Sequence, residues 1–218
     1  MSQHIIPDEK LKVDCTLEEY KTQKDVESRR FYLCRPIYSL SDEDSSNEYL
    51  SMVSKITKGI MDINRYDQML SEDTPPEDRM PIIIYINSPG GDLIEGFSLV
   101  SAIELSKTPV YTVNIGEWSS MAFLIGITGH KRFSFPYSTF LLHEGSSFAG
   151  GATNKVQDRV EFEKRFEREI VRNHVLKNSK MNGVDYDALA RVEYYLLPKD
   201  ALERGFIDEI IDNINSIL

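Results

Sequence analysis

Two runs rich in apolar and β-branched residues constrain this chain more than any other feature. "MPIIIYIN" (80–87) is continuously apolar up to Asn87, and "PVYTVNI" (109–115) is apolar except for Thr112 and Asn114. Runs of this length suit strands covered on both sides. Each is followed by a helical pattern. "LIEGFSLVSAIELS" (93–106) sets Leu93, Phe97, Val100, Ile103 and Leu105 near one face, and "SMAFLIGIT" follows the second run as a short apolar helix. Strand–helix alternation predicts an α/β domain.

The flanking segments extend the pattern. "RRFYLCRPI" (29–37) reads as a strand. Leu50, Val53, Ile56, Ile60 and Ile63 recur every three or four residues after a Ser/Asp-rich start, which predicts an amphipathic helix. "SEDTPPEDR" (71–79) is a loop, and "KRFSF" and "STFLLH" are strands joined at Pro136-Tyr137. "SSFAGGA" (146–152) is a flexible stretch. Residues 153–178 form a long charged helix with Val156, Val160, Phe166, Ile170 and Val171 as its apolar stripe. A short helix near 185–191 and a last unit, "YYLLPKDALERGFIDEII", complete the chain. This divides it into a polar N-terminal arm, 1–29, and a single domain, 30–218.

Composition narrows the function classes. The length of 218 residues suits one domain. A net charge of −10 argues against nucleic acid or an anionic membrane as partner. Cys15 and Cys34 lack CxxC spacing, and His4, His130, His143 and His174 form no HExxH pattern, so no metal ligand set is expected. The N-terminus has no basic region leading into an apolar stretch, and no apolar run reaches the ~18 residues of a membrane span. The expectation is a soluble protein of a reducing, cytoplasmic compartment.

Chemistry concentrates in the loops. Ser88-Pro89-Gly90-Gly91 follows the first apolar run. A Gly-Gly between strand and helix forms either a tight turn or a cradle of free N–H groups that holds an oxyanion. Ser119 and Ser120 stand between the second run and the apolar helix. A serine there is an N-cap or a nucleophile, and a pair leaves room for both roles. A serine nucleophile needs a base. His143, ending "FLLH" before a flexible stretch, is the best placed; His130 lies in a polar turn and His174 on the charged helix, where a solvated role is expected. A third group must orient the imidazole, and Asp185, Asp187, Glu193, Asp200 and Asp208 are open candidates.

"IYINSPGGDLIEGFSLVSAI", "GEWSSMAFLIGITGHKRFSFPYSTFLLH" and "YYLLPKDALERGFIDEII" together resemble the Clp protease proteolytic subunit, over about residues 30–211. The resemblance implies the ClpP/crotonase-like fold, a spiral of strand–strand–helix units with a protruding long helix. It implies Ser120 as nucleophile in a Gly-x-x-x-Ser-Met pattern and His143 as general base. The amides of Gly90 and Met121 become the oxyanion hole. Alignment on Gly205 puts Glu193 where the family carries its catalytic aspartate. The substrate would lie along Gly91, Ser147, Phe148, Gly150 and Gly151, adding a strand to "SSFAGG". The resemblance further implies stacked heptameric rings around a closed chamber, with helix 153–178 between rings. A Clp-type AAA+ unfoldase would feed in unfolded protein substrates. No GxxxxGK[ST] motif occurs, so ATP use falls to that partner and no cofactor is expected.

The chain departs from the family pattern at three places. Glu193 replaces aspartate, Glu144-Gly145 follows the histidine where Gln-Pro is usual, and Val192 takes the place of an arginine, with Arg191 one position earlier. The alternatives are a catalytically weakened ring subunit or scaffold, a serine–lysine enzyme using Lys155 or Lys164, and a crotonase-like acyl-CoA enzyme.

Overall fold

A computed structural model describes residues 17–39, 51–70, 75, 78–145 and 150–217. Helix α1 (Leu17–Ser28) opens the described chain, where a polar arm is expected, and leads directly into strand β1 (Arg30–Leu33). The amphipathic helix predicted around residue 56 is α2 (Met52–Leu70). Its Val53, Ile56, Ile60 and Ile63 are all buried, while Leu50 lies outside the described residues. Strand β2 (Ile82–Ser88), helix α3 (Leu93–Leu105), strand β3 (Val110–Ser119) and helix α4 (Met121–Gly126) follow.

The sheet explains the two apolar runs. Strands β1, β2, β3, β4 (Lys131–Ser134) and β7 (Glu209–Ile210) pair in parallel in that order. Ile82, Ile84 and Ile86 of β2 point into the main core beneath the helices, and Ile83 and Tyr85 into a second cluster with Val113 and Phe133. Both faces of a central strand are thus covered, so alternation disappears from its sequence.

Strand β3 runs four residues beyond the predicted end at Ile115, up to Ser119. Its register against β2 is regular from Ile82↔Val110 to Ile86↔Asn114, then jumps to Ser88↔Trp118. The irregularity spans Gly116, where a Cβ would come within 2.5 Å of the Asn87 side chain. Such a bulge bends a strand. The first half of β3 pairs with β4, and the second half with β5 (Thr139–Leu142), through Glu117↔Thr139, Trp118↔Phe140 and Ser119↔Leu141. Strand β6 (Tyr194–Leu196) then joins β5 antiparallel. Trp118 is fully buried, edge-on to Phe140 at 5.5 Å.

The charged helix predicted over 153–178 is interrupted. Helix α5 (Thr153–Phe166) passes through a wide π-type turn (Glu167–Val171) into α6 (Arg172–Lys177). No residue of α5 is buried, and Ile170, assigned to the apolar stripe, is exposed. The wide turn shifts the helical phase: before it only Phe166 packs against the core, partly buried, and the buried positions begin at Val171. Helix α7 (Gly183–Leu189) and helix α8 (Pro198–Glu203) complete the order.

Candidate active site

The site grows from one strand–turn–helix junction. Strand β3 ends at Ser119 and helix α4 begins at Met121. Ser120 between them has φ 54° and ψ −125°. Only Arg29 shares a positive φ among the described non-glycine residues. A side chain in that region costs on the order of 1–3 kcal/mol and persists where its surroundings impose it. Ser120 occupies the N-cap position yet forms no capping hydrogen bond. Ser119 does not cap either, because its hydroxyl donates to Glu117 Oε1 at 2.6 Å. The pair therefore divides differently from a cap and a nucleophile: one hydroxyl is tied to the strand, and the other has no hydrogen bond among the described residues.

Packing holds the junction in place. Gly96 of α3 lies so close that an added Cβ would sit 2.2 Å from Met121 Cγ. Met121 is fully buried there, which anchors the first turn of α4 while its amide stays on the junction side. Gly90 has φ 88°, and a Cβ on it would meet Ser119 O at 2.5 Å and both Met121 N and Ser120 Cβ at 2.8 Å. The Ser-Pro-Gly-Gly turn and the serine turn are thus in direct contact. The first amides of a helix have no partner within it, and the first bond into α4 is Phe123 N–H to Ser120 O at 3.0 Å. The Gly90 amide is not free: it donates to Ser88 Oγ at 3.1 Å. Gly91, with φ 142°, is a glycine for a different reason, since a Cβ would come within 2.0 Å of Ile37 O across an isolated parallel bridge.

His143 is carried in from β5. The Ser120 amide donates to Leu141 O at 3.0 Å, two residues before the histidine. His143 is partly exposed. Among the described residues no hydrogen bond engages its ring or the Ser120 hydroxyl. The acids separate cleanly. Asp208 pairs with Arg132 at 2.6 Å, Asp187 with Arg172 at 2.7 Å, Asp200 accepts from the Leu197 amide at 3.0 Å, and Asp185 accepts from Asn182 at 3.0 Å. All serve local structure. Glu193 is exposed and accepts only from Tyr195 Oη, at 2.9 Å. The β5–β6 ladder ends at the pair Leu142↔Tyr194, so His143 and Glu193 are the next residue on each segment beyond it.

Gly150 and Gly151 are exposed, and Ser147 and Phe148 lie outside the described residues. Lys155 and Lys164 are exposed on α5. His174 corrects its expectation. It is buried, with Nε2 3.0 Å from Leu124 O and 3.1 Å from Thr128 Oγ1, because the wide turn rotates this part of the helix inward. Burial lowers its pKa. The neighbouring side chains that residue type alone left unseen are Glu117, which accepts from Ser119 Oγ, and Tyr195, which donates to Glu193; their signal is the β-strand period of two, which places 117 with 119 and 193 with 195.

A parallel sheet with a serine at a strained strand–helix junction and a glycine turn against it defines the ClpP/crotonase-like fold class. Within that class the assignment is specific. The Clp protease family model matches residues 48–214, and the chain belongs to that family. It is 30% identical over 174 residues to the ATP-dependent Clp protease proteolytic subunit 3 of Synechococcus sp. (strain CC9605), covering 76% of this chain and 83% of that one. The corresponding subunit 3 of Parasynechococcus marenigrum (strain WH8102) is 32% identical over the same shares. The ATP-dependent Clp protease proteolytic subunit of Streptococcus sanguinis (strain SK36) is 30% identical, over 62% of this chain and 70% of its own. The chain is a ClpP-type peptidase.

Proposed function

We propose that the chain is a serine endopeptidase in which Ser120 attacks the peptide carbonyl and His143 takes its proton. The observation that carries this is the Ser120 backbone: a positive φ, at a helix N-cap, with a hydroxyl that caps nothing. A serine that merely stabilised the helix would adopt extended backbone and accept from the next turn. Imidazolium formed in the first step protonates the leaving amine, and water resolves the acyl-enzyme. The amides of Met121 and Gly90 hold the tetrahedral oxyanion; loss of one such donor costs about 10²–10³ in kcat. The Gly90 amide shares its hydrogen between Ser88 Oγ and the oxyanion. Glu193 orients the imidazole, and the reaction needs no cofactor of its own.

The names of the relatives support the wider reading. We infer stacked heptameric rings enclosing the sites, in the cytoplasm, with a Clp-type AAA+ unfoldase consuming ATP to deliver unfolded polypeptides. The substrate adds a strand beside residues 146–151, so recognition rests on main-chain hydrogen bonds and specificity is broad. Among the described residues no helix is long and apolar enough to cross a membrane.

A fluorophosphonate probe with the assembled protein tests the chemistry. The expected result is stoichiometric labelling at Ser120, abolished in His143→Ala. Labelling at another residue, or none in intact particles, would leave a non-catalytic ring subunit.

A further inference from the structure

Glutamate at 193 poses a mechanical problem. It carries one more rotor than aspartate, and an exposed, unrestrained carboxylate spends little time in any one geometry. Fixing a long side chain costs conformational entropy. An orienting group is useful only when its own position is held.

The same strand supplies a restraint. Glu193 immediately precedes β6 and Tyr195 lies within it, two residues on, and strand alternation puts them on one side. Tyr195 Oη donates to Glu193 Oε2 at 2.9 Å. The other oxygen, Oε1, has no partner among the described residues. The last pair of the ladder, Leu142↔Tyr194, leaves His143 and Glu193 as the next residues on the two segments, and continued alternation would put both on the face of Leu141 and Tyr195. A hydrogen bond to Glu193, and then its charge, raise the Tyr195 pKa, so the phenol keeps its proton and remains a donor through the working range. A planar ring with two rotors is a stiffer post than a serine, threonine or lysine would be. Glu117, whose carboxylate is held by Ser119 Oγ, also contributes to raising the Tyr195 pKa. It keeps the phenol from ionising without competing for its proton, because no hydrogen bond joins the two.

We propose that Tyr195 is a positioning residue that compensates for the length of Glu193: its hydroxyl pins one carboxylate oxygen, leaving the other to accept the His143 N–H. The inference rests on the Ser120–His143 reading of the site. It treats glutamate and tyrosine as one functional unit in place of a single shorter acid.

The test is a double-mutant cycle on the assembled protein, with Tyr195→Phe and Glu193→Asp separately and together. Peptide hydrolysis and the rate of fluorophosphonate labelling are the readouts. Tyr195→Phe is expected to lower kcat about fivefold with KM unchanged, the effect of one lost hydrogen bond. In the Glu193→Asp background, where the shorter carboxylate no longer meets the phenol, the same change is expected to alter kcat by less than about 1.5-fold. Phe keeps the exposed ring in place, and unchanged particle size and melting temperature in each variant exclude a folding effect. A Tyr195→Phe protein as active as wild type, or one that loses equally in both backgrounds, overturns the proposal while leaving the serine mechanism intact. Should Tyr195→Phe disturb assembly, Tyr195→Leu takes its place in the same cycle: a loss of kcat confined to the Glu193 background is expected, and no loss, or an equal loss in both backgrounds, overturns the proposal. A wild-type protein that fails to label at Ser120 removes the mechanism itself, and this inference with it.

Discussion

His143 and His174 sit in one fold under opposite conditions. His174 is buried between α6 and α4, with Leu124 O and Thr128 Oγ1 at its Nε2 and Asn178 Nδ2 3.3 Å from its Nδ1. Leu124 O, a pure acceptor, takes the Nε2 proton, and Nδ1 faces Asn178 Nδ2 and the Glu104 carboxylate 3.6 Å away. His143 is partly exposed at the end of β5, and no described group bonds to its ring. The neighbours repeat the contrast. Near His174, Arg132 donates to Asn178 O at 2.7 Å, to Gly205 O at 2.9 Å and to Asp208 at 2.6 Å. Near His143, Ser120 is strained and its hydroxyl unused. A polar group whose valences are all filled by the fold has nothing left for a substrate. The region with unspent hydrogen-bonding capacity is the one with chemistry to offer.

The comparison breaks most visibly at Ser120. Ser120→Ala is expected to lower peptide hydrolysis by at least about 10⁴-fold, without loss of thermal stability. Ser120→Gly removes the Cβ from a positive φ, so the equally inactive protein should be more stable by about 1 kcal/mol in urea titrations. If Ser120→Gly is destabilised instead, the backbone strain assigned to the junction is wrong.

The next effect belongs to the other region. Arg132→Ala leaves two carbonyls without their guanidinium donor and Asp208 with only the backbone N–H of residue 132. It should cost about 2 kcal/mol of stability, reduced by the partial exposure of Asp208, while kcat of the surviving folded particles stays within about twofold of wild type. A selective loss of kcat would mean that the two regions are coupled.

The smallest effect sharpens the contrast by pH. Burial depresses the His174 pKa below its ordinary 6.5. The unfolded chain therefore takes up a proton at a pH where the folded protein does not. The stability contributed is present above about pH 6.5 and falls as pH drops through that value, by at most about 1.4 kcal/mol per pH unit. The urea midpoint of wild type should fall more between pH 7 and pH 5.5 than that of His174→Gln. Parallel curves would show that His174 titrates in the folded protein as it does in the unfolded chain.

Much of this was legible in the chain. The run 80–87 could only be a covered strand, because nothing polar alternates along it, the β-branched run 109–115 read as its partner, and Val53, Ile56, Ile60 and Ile63 could only be one face of a helix. The Gly-Gly after β2 and the serine pair before α4 marked the loops that matter. The misreadings were geometric. The extension of β3 through Gly116 to Ser119 follows from a bulge and a change of partner strand, neither of which has a composition. His174 lies on a helix rich in charge, and only the phase shift at Glu167–Val171 turns it inward.

Residue type and spacing, which act over a few neighbours, determined the α/β alternation, the helix faces and the short roll of side chains able to do chemistry. The tertiary structure decided what those side chains are free to do. Whether Ser120 caps or projects, whether His174 is wet or dry, and where Glu193 enters the sheet beside β5 depend on a backbone angle imposed by packing, a helical phase and a strand register. Each is set by contacts between segments far apart in sequence, where local pattern carries no signal.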